Sequence, residues 1–236
     1  MEDTLHTHEA ILIIGPTGSG KTPLGELLDE RGLSGRPCAH FDFGRELRRI
    51  AAGPGHPEPV EGRIVPGPGR PEPVERRAAT AASLFDPDEI AFIREVLDEG
   101  RLLEDEHFHV AWKILTAFIA ERHTGHGDLT VLNGLPRHIG QAGDVDCMVE
   151  IAAVVHLNCT PEVVEHRIQT NAGGDRTHRT DDTLAAVRRK LALFEERTRP
   201  LVEHYAELGA NIIEIGITPD TSPADVLAAL ERQQDK

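Results

Sequence analysis

The residues with the clearest chemical purpose form a glycine-rich segment near the start of the chain. Residues 15–22 fit the pattern G-x-x-x-x-G-K-[S/T] and lie between an apolar run and a helical pattern. Glycines let the backbone wrap around phosphate oxygens with its N–H groups pointing inward, and the following helix adds the positive end of its dipole. The sequence therefore predicts a nucleoside triphosphate site made of Gly15, Pro16, Thr17, Gly18, Ser19, Gly20, Lys21 and Thr22.

Two side chains of this motif have specific expected roles. Lys21 is expected to bring its charge to the β and γ phosphates of ATP, and the Thr22 hydroxyl is expected to ligate Mg²⁺. The motif does not say which molecule receives the γ-phosphoryl group, so the acceptor has to be inferred from the rest of the chain.

Several short apolar runs predict the strands that position this motif. The first covers residues 9–15, and the others are residues 37–43, 129–133, 151–157 and 211–215. Helical patterns separate the runs, which favours a parallel sheet covered by helices on both faces. Prolines that follow N-cap residues mark helix starts at Asp86, Thr160 and Ser222. A helix-rich fold, in which some of these runs are core helices, is the alternative.

The segment at residues 53–76 differs in composition from the rest of the chain. Twelve of its 24 residues are Gly or Pro, and residues 55–63 recur at 69–77 with seven of nine positions identical. The segment has few apolar side chains to bury, so we expect an extended insertion in a surface loop. A peptide-like docking segment is the alternative.

Composition excludes several classes of protein. The net charge of −15 disfavours a general nucleic-acid-binding surface, because phosphate backbones select basic faces. No apolar run reaches the length of a membrane span. The three cysteines are too scattered for a disulfide framework, which favours reduced thiols and a cytoplasmic location.

Four further segments resemble motifs of the adenylate kinase family of nucleoside monophosphate kinases. Residues 133–142 read Asn-Gly-Leu-Pro-Arg-His-Ile-Gly-Gln-Ala, close to the family's D-G-F-P-R-x-x-x-Q-A. Residues 160–167 are similar to its V-P-x-E…R segment, residues 179–182 to its R-x-D-D, and residues 198–200 to its T-x-P. The motifs come in the family's order and spacing.

This resemblance implies a fold and a reaction. The fold is an α/β P-loop NTPase with a five-stranded parallel sheet, forming a single kinase domain over residues 1–236. A helical acceptor-binding subdomain is implied at residues 44–126 and a short lid at residues 168–180. The implied reaction is Mg²⁺-dependent phosphoryl transfer from ATP to a nucleoside monophosphate, AMP first among them, by a monomer.

The resemblance also implies roles for individual residues. The side chains expected to touch the acceptor nucleotide are Arg48, Leu103, Gly134, Arg137 and Gln141. Arg167 is expected to pack on the donor base. Arg137, Arg179 and Lys190 are expected to join Lys21 around the transferring phosphoryl group, where several cations must converge because two polyphosphates meet.

The chain departs from the family's motifs at three informative positions. Asn133 replaces the Asp that, in the family, helps to hold Mg²⁺ through water, and Asp42 is a candidate to supply the missing carboxylate. Phe43 and Arg45 replace the family's Thr and Asp in the acceptor pocket, so the acceptor base stays open. A P-loop kinase of a small metabolite and a nucleotide-binding module without transfer activity are the alternative functions.

Overall fold

The computed structural model describes residues 8–53, 84–122, 127–174 and 183–234. Its centre is a sheet of five parallel strands in the order β2-β3-β1-β4-β5. The strands are β1 His8–Ile14, β2 Cys38–Asp42, β3 Leu129–Asn133, β4 Val149–Asn158 and β5 Asn211–Gly216. Each forms at a predicted apolar run, so the α/β prediction is confirmed and the helix-rich alternative is wrong. β4 begins two residues before its predicted start.

Helices connect the strands. They are α1 Lys21–Arg31, α2 Phe43–Ala52, α3 Pro87–Glu99, α4 Phe108–Arg122, α5 Ile139–Asp146, α6 Pro161–Gln169, α7 Leu184–Leu193, α8 Pro200–Glu207 and α9 Pro223–Gln234. A 3₁₀ turn at Asp105–His107 precedes α4, and a π turn at Phe194–Thr198 joins α7 to α8. Within the described ranges no helix has the length and apolar character that a membrane crossing requires.

The predicted helix starts at Asp86, Thr160 and Ser222 are confirmed. The Asp86 carboxylate accepts from the backbone N–H of Glu89, whose side chain in turn accepts from the backbone of Asp86. The Thr160 hydroxyl accepts from a backbone N–H of α6, and the Ser222 hydroxyl accepts from the first turn of α9. Each cap satisfies N–H groups that lack a partner inside the helix, and a proline occupies the next position.

The main core lies between the sheet and its helices. Apolar residues of β1, β3, β4 and β5 pack against residues of α1 and α9, among them Ile11, Ile13, Leu24, Leu28, Val155 and Leu230. β1 is buried along most of its length because strands flank it on both sides and helices cover its faces. This rigid centre holds the loop that follows β1.

The carboxyl ends of all five strands meet at one edge of the sheet. After β1 the chain runs through α1 to β2 at one side of the sheet, whereas after β4 it runs to β5 at the other side. Ligands bind to parallel sheets at the carboxyl edge, where connections diverge in this way. The glycine-rich loop at 15–20, Asp42, Asn133 and the start of α6 all lie at that edge.

The chain divides into two compact units, residues 1–42 with 124–236, and residues 43–123. In the second unit α2 packs against α3, and the Arg94 guanidinium donates to the carbonyl of Ala51 at 2.9 Å. Lys113 of α4 pairs with Glu89 of α3 and lies 5.5 Å from the Phe85 ring centroid. The acceptor-binding role and the bounds 44–126 stay predictions.

Three sequence predictions concern residues that the structure describes only in part or not at all. The insertion at 53–76 lies outside the described residues apart from Gly53. Arg179 lies outside them as well. The predicted lid at 168–180 is described only as far as residue 174, where α6 and the turn after it end.

Candidate active site

The glycine-rich loop turns from β1 into α1 in a conformation that only small residues allow. Gly20 has a φ of 98° at the N-cap of α1, in the left-handed region that favours glycine. A Cβ added to Gly15 would lie 2.6 Å from the Ser19 hydroxyl and 3.0 Å from Leu157 of β4. The backbone therefore lies close to the strands, and the helix α1 begins at the residue that carries the motif's charge.

Lys21 is folded back onto its own loop. Its ammonium group donates to the carbonyl of Gly15 at 2.6 Å and to that of Pro16 at 2.8 Å. These contacts hold the cation at the mouth of the loop. Phosphate oxygens are stronger acceptors for an ammonium group than neutral carbonyls, so the side chain can exchange these contacts for a phosphate.

Three polar side chains from three elements meet beside the loop. The Thr22 hydroxyl donates to Asp42 Oδ2 at 2.6 Å, and the Asn133 amide donates to Thr22 Oγ1 at 3.1 Å and to Asp42 Oδ2 at 3.0 Å. Asp42 and Asn133 are register partners at the ends of neighbouring strands, and both are at least nine-tenths buried. The three hydrogen bonds therefore connect each of these side chains to the other two.

The oxygen atoms of this network suit Mg²⁺. The ion prefers hard oxygen donors and is bound through one or two carboxylates and substrate phosphates, without a full protein cage. Thr22 supplies a hydroxyl and Asp42 supplies a carboxylate. Within the described ranges no cluster of three His, Cys, Asp or Glu side chains could hold a metal by itself. The chain's own groups therefore fit a cation that is shared with a bound polyphosphate.

Arg137 follows β3 and is held by two backbone contacts. Its N–H donates to Gln141 Oε1 at 2.8 Å, and its carbonyl accepts from the Thr198 hydroxyl at 2.7 Å. Burial lowers the pKa of the Arg137 guanidinium, while the charge of Asp42 opposes that shift. An arginine pKa starts above about 12, so the side chain stays cationic. It supplies a fixed positive charge at the carboxyl edge of the sheet.

Arg167 of α6 ties two loops together. Its Nε donates to the Gly18 carbonyl at 3.1 Å, and its Nη1 lies 2.9–3.1 Å from the carbonyls of Thr218, Pro219 and Thr221. The residue is only 3% exposed. The guanidinium thus joins the phosphate loop to the loop after β5, with its polar edge facing backbone oxygens.

Cys159 lies near the cationic groups of Arg167 and Lys21. Cys159 follows β4, and the charges of Arg167 and Lys21 lower the pKa of its thiol. Burial has the larger effect and raises that pKa to about 11. The thiol is therefore protonated near neutral pH and acts as a small packing group, not as a nucleophile.

Comparison with known proteins identifies the family. An adenylate kinase from Stenotrophomonas maltophilia is 30% identical to this chain over 145 residues, which cover 58% of the chain and 73% of that kinase. The chain belongs to the adenylate kinase family. The resemblance drawn from the sequence motifs is confirmed.

Other members of the adenylate kinase family match over shorter lengths. An adenylate kinase from Rhizobium meliloti is 32% identical over 49% of this chain and 62% of its own length. A UMP-CMP kinase from Lentinula edodes is 32% identical over 52% of the chain and 56% of its own length. The chain thus spans about three fifths of the lengths of these two relatives. No family model matches the chain.

Among solved structures, a gluconokinase from Sinorhizobium meliloti is similar to the chain at 17% identity. The similarity covers 96% of this chain and 94% of the gluconokinase, with a TM-score of 0.48.

The structure brings together only part of the residue set that the adenylate kinase motifs predict. The glycine-rich loop, Gly134, Arg137, Gln141 and Arg167 belong to the first unit. The loop, Gly134 and Arg137 follow the carboxyl ends of strands, Gln141 lies in the first turn of α5, and Arg167 lies in the last turn of α6. Lys190 lies half-buried on α7 of the same unit. Arg48, on α2, and Leu103, which is 3% exposed, belong to the second unit. The expected roles of all these residues stay predictions.

Sequence reasoning missed two supports of this site. The first is the Thr198 hydroxyl, which donates to the Arg137 carbonyl. The T-x-P motif indicated this segment but not the contact. The loop 218–221 contributes only backbone carbonyls to Arg167, and carbonyls leave no signal in residue types. No pattern in one sequence could have identified the second contact.

Proposed function

We propose that this protein transfers the γ-phosphoryl group of ATP to a nucleoside monophosphate, giving two nucleoside diphosphates. The observation that carries the proposal is the arrangement of Lys21, Thr22, Asp42 and Arg137 at the carboxyl edge of a parallel sheet. Family membership supports the same reaction, because relatives named adenylate kinase and UMP-CMP kinase match this chain.

The chain's own groups would act on the phosphates by charge and position. Lys21 leaves the carbonyls of its loop and binds the phosphate oxygens of the donor, while the loop's N–H groups surround them. Arg137 supplies a second cation whose backbone is fixed on both sides. Phosphoryl transfer requires little more than such positioning and neutralisation of developing charge. Bound Mg²⁺ would add charge neutralisation between the phosphates, beside Thr22 and Asp42.

AMP is the first acceptor to test, and UMP and CMP follow. Two of the relatives above are named adenylate kinase, and the third is named UMP-CMP kinase. The replacements Phe43 and Arg45 lie in the segment that the family uses for the acceptor, so the base preference is an open part of the proposal. The test is formation of each nucleoside diphosphate from ATP and AMP, CMP, UMP or GMP, followed by chromatography.

A kinase of a small hydroxyl-bearing metabolite is the second candidate. Transfer to a hydroxyl needs a general base, and Asp42 accepts a hydrogen bond from the Thr22 hydroxyl at 2.6 Å. A carboxylate beside the phosphate loop is therefore available for that purpose. Release of ADP with a hydroxyl acceptor, and no nucleoside diphosphate from any of the four monophosphates, would favour this candidate.

A further inference from the structure

The network of Thr22, Asp42 and Asn133 assigns a specific role to one carboxylate. We infer that Asp42 is the positioning residue for Mg²⁺ in this protein, and that Asn133 serves to hold Asp42 in place. The inference rests on the proposed function, since it concerns Mg²⁺ bound together with ATP. It places the metal-orienting charge at the end of β2, whereas the family's motif has it at the end of β3.

The directions of the hydrogen bonds support this assignment. Thr22 donates its only hydroxyl proton to Asp42, so its lone pairs are left to accept, and one of them accepts from the Asn133 amide. A threonine oxygen held in this way is oriented by the carboxylate. Asp42 brings a full negative charge to this hydrogen-bonded group of three, while Thr22 and Asn133 are neutral.

Asn133 suits this arrangement better than an aspartate would. Its amide donates to both Thr22 and Asp42, at 3.1 and 3.0 Å. A carboxylate at residue 133 has no proton to donate near neutral pH and would lie about 3 Å from the Asp42 carboxylate. Two like charges at that distance in a buried place disfavour each other strongly. The amide at 133 and the carboxylate at 42 therefore form a matched pair.

The register between β2 and β3 explains why a carboxylate at the end of either strand could orient the metal. Asp42 and Asn133 are direct partners in the parallel pairing of β2 with β3. Neighbouring strands lie about 4.8 Å apart, so side chains at the ends of both strands can reach water molecules bound to the same cation. The charge of Asp42 acts on the Arg137 guanidinium and opposes the fall of its pKa.

The test measures how much Mg²⁺ strengthens nucleotide binding. Isothermal titration with a non-hydrolysable ATP analogue, with and without Mg²⁺, gives this enhancement for wild type, Asp42→Asn and the exchange variant Asp42→Asn with Asn133→Asp. Asp144→Asn makes the same chemical change on an exposed position of α5 and is the matched control. A thermal melt of each variant reports whether it is folded.

Asp42→Asn should lose at least about tenfold of the Mg²⁺ enhancement, because groups that orient a metal's ligands contribute that much to metal affinity. Its affinity for the metal-free analogue should not fall, because the loss of a carboxylate beside the triphosphate removes a repulsion between like charges. The exchange variant should regain at least about threefold of the lost enhancement, since it keeps one carboxylate and one amide in the pair. If Asp42→Asn fails to fold, the Mg²⁺ enhancement of the exchange variant tests the inference instead. Asp144→Asn should match wild type.

Two results overturn the inference, and they differ from failure of the proposed function. A folded Asp42→Asn protein with the wild-type Mg²⁺ enhancement would exclude Asp42 as the positioning residue. A folded exchange variant without any enhancement would show that a carboxylate at residue 133 cannot replace the one at residue 42, which contradicts the matched pair across β2 and β3. If wild type binds the analogue neither with nor without Mg²⁺, the proposed function itself fails, and the inference fails with it.

Discussion

Replacing Arg167 by alanine tests how the two loops around the donor site are held. The side chain donates to Gly18 of the phosphate loop and to three carbonyls of the loop 218–221. In the alanine variant these carbonyls lose their charged donor in a buried place. The phosphate loop and the loop after β5 lose their shared contact, so we expect the variant to lose both stability and affinity for ATP.

The size of the effect follows from the donors available. Nε has one hydrogen and Nη1 has two, so at most three of the four contacts can be full hydrogen bonds at any moment. A hydrogen bond to a charged group contributes about 1.5 kcal/mol or more. The free energy of unfolding should therefore fall by about 4.5 kcal/mol, which for a chain of this size lowers the thermal midpoint by roughly 9–18 °C.

Thermal unfolding and ATP kinetics should be measured on the same preparations. Arg188→Ala is the matched control, because that arginine lies on α7 with a side chain 66% exposed and forms a surface ion pair with Glu165. Its midpoint should move by less than about 2 °C. If Arg167→Ala keeps the wild-type midpoint while its KM for ATP rises tenfold, the residue contacts the donor base, as the family resemblance implies, and does not tie the loops together.

Three further predictions follow from single contacts. Lys21→Ala should lower the rate of phosphoryl transfer at least a hundredfold while the protein stays folded, because it removes the cation of the glycine-rich loop and leaves the core of the sheet intact; turnover within threefold of wild type would contradict this. At pH 8 a thiol reagent should modify Cys147 first and Cys38 and Cys159 more slowly, because burial raises the pKa of their thiols to about 12 and about 11; mass spectrometry that finds all three modified at equal rates in the native protein would contradict this. Tyr205→Phe should lower the free energy of unfolding by about 1.5 kcal/mol, because it removes the hydroxyl that donates to the Asp146 carboxylate of α5; denaturant titration that finds equal midpoints would contradict this.

The sheet could be predicted because its strands carry continuous apolar runs. β1, β3 and β5 form where those runs occur. β1 and β3 lie inside the sheet and need apolar side chains along most of their length, whereas β5 is an edge strand in which only Ile213 and Ile215 are buried. The extra residues at the start of β4 include the polar Glu150, which continues the pairing with β1 beyond the apolar run. Backbone pairing extends the strand there, and side-chain type gives no sign of it.

The sequence motif of the site could be predicted, whereas its side-chain contacts could be predicted only in part. The glycine-rich loop could be named from residue types alone, because its spacing of glycines, lysine and threonine between a strand and a helix is typical of a triphosphate site. The bond between Asp42 and Asn133 depends on which strands are neighbours and in what register. One sequence carries no such information, so Asp42 could be named as a candidate carboxylate but not assigned its partners.

Nucleoside diphosphate formation by the purified protein tests the proposed function most directly. ATP and Mg²⁺ are incubated with AMP, CMP, UMP or GMP in turn, using wild type and Lys21→Ala. The account predicts that wild type converts at least one monophosphate to its diphosphate with equal release of ADP, and that Lys21→Ala converts none at a comparable rate. Wild-type protein that binds ATP but forms no diphosphate from any of the four would contradict it.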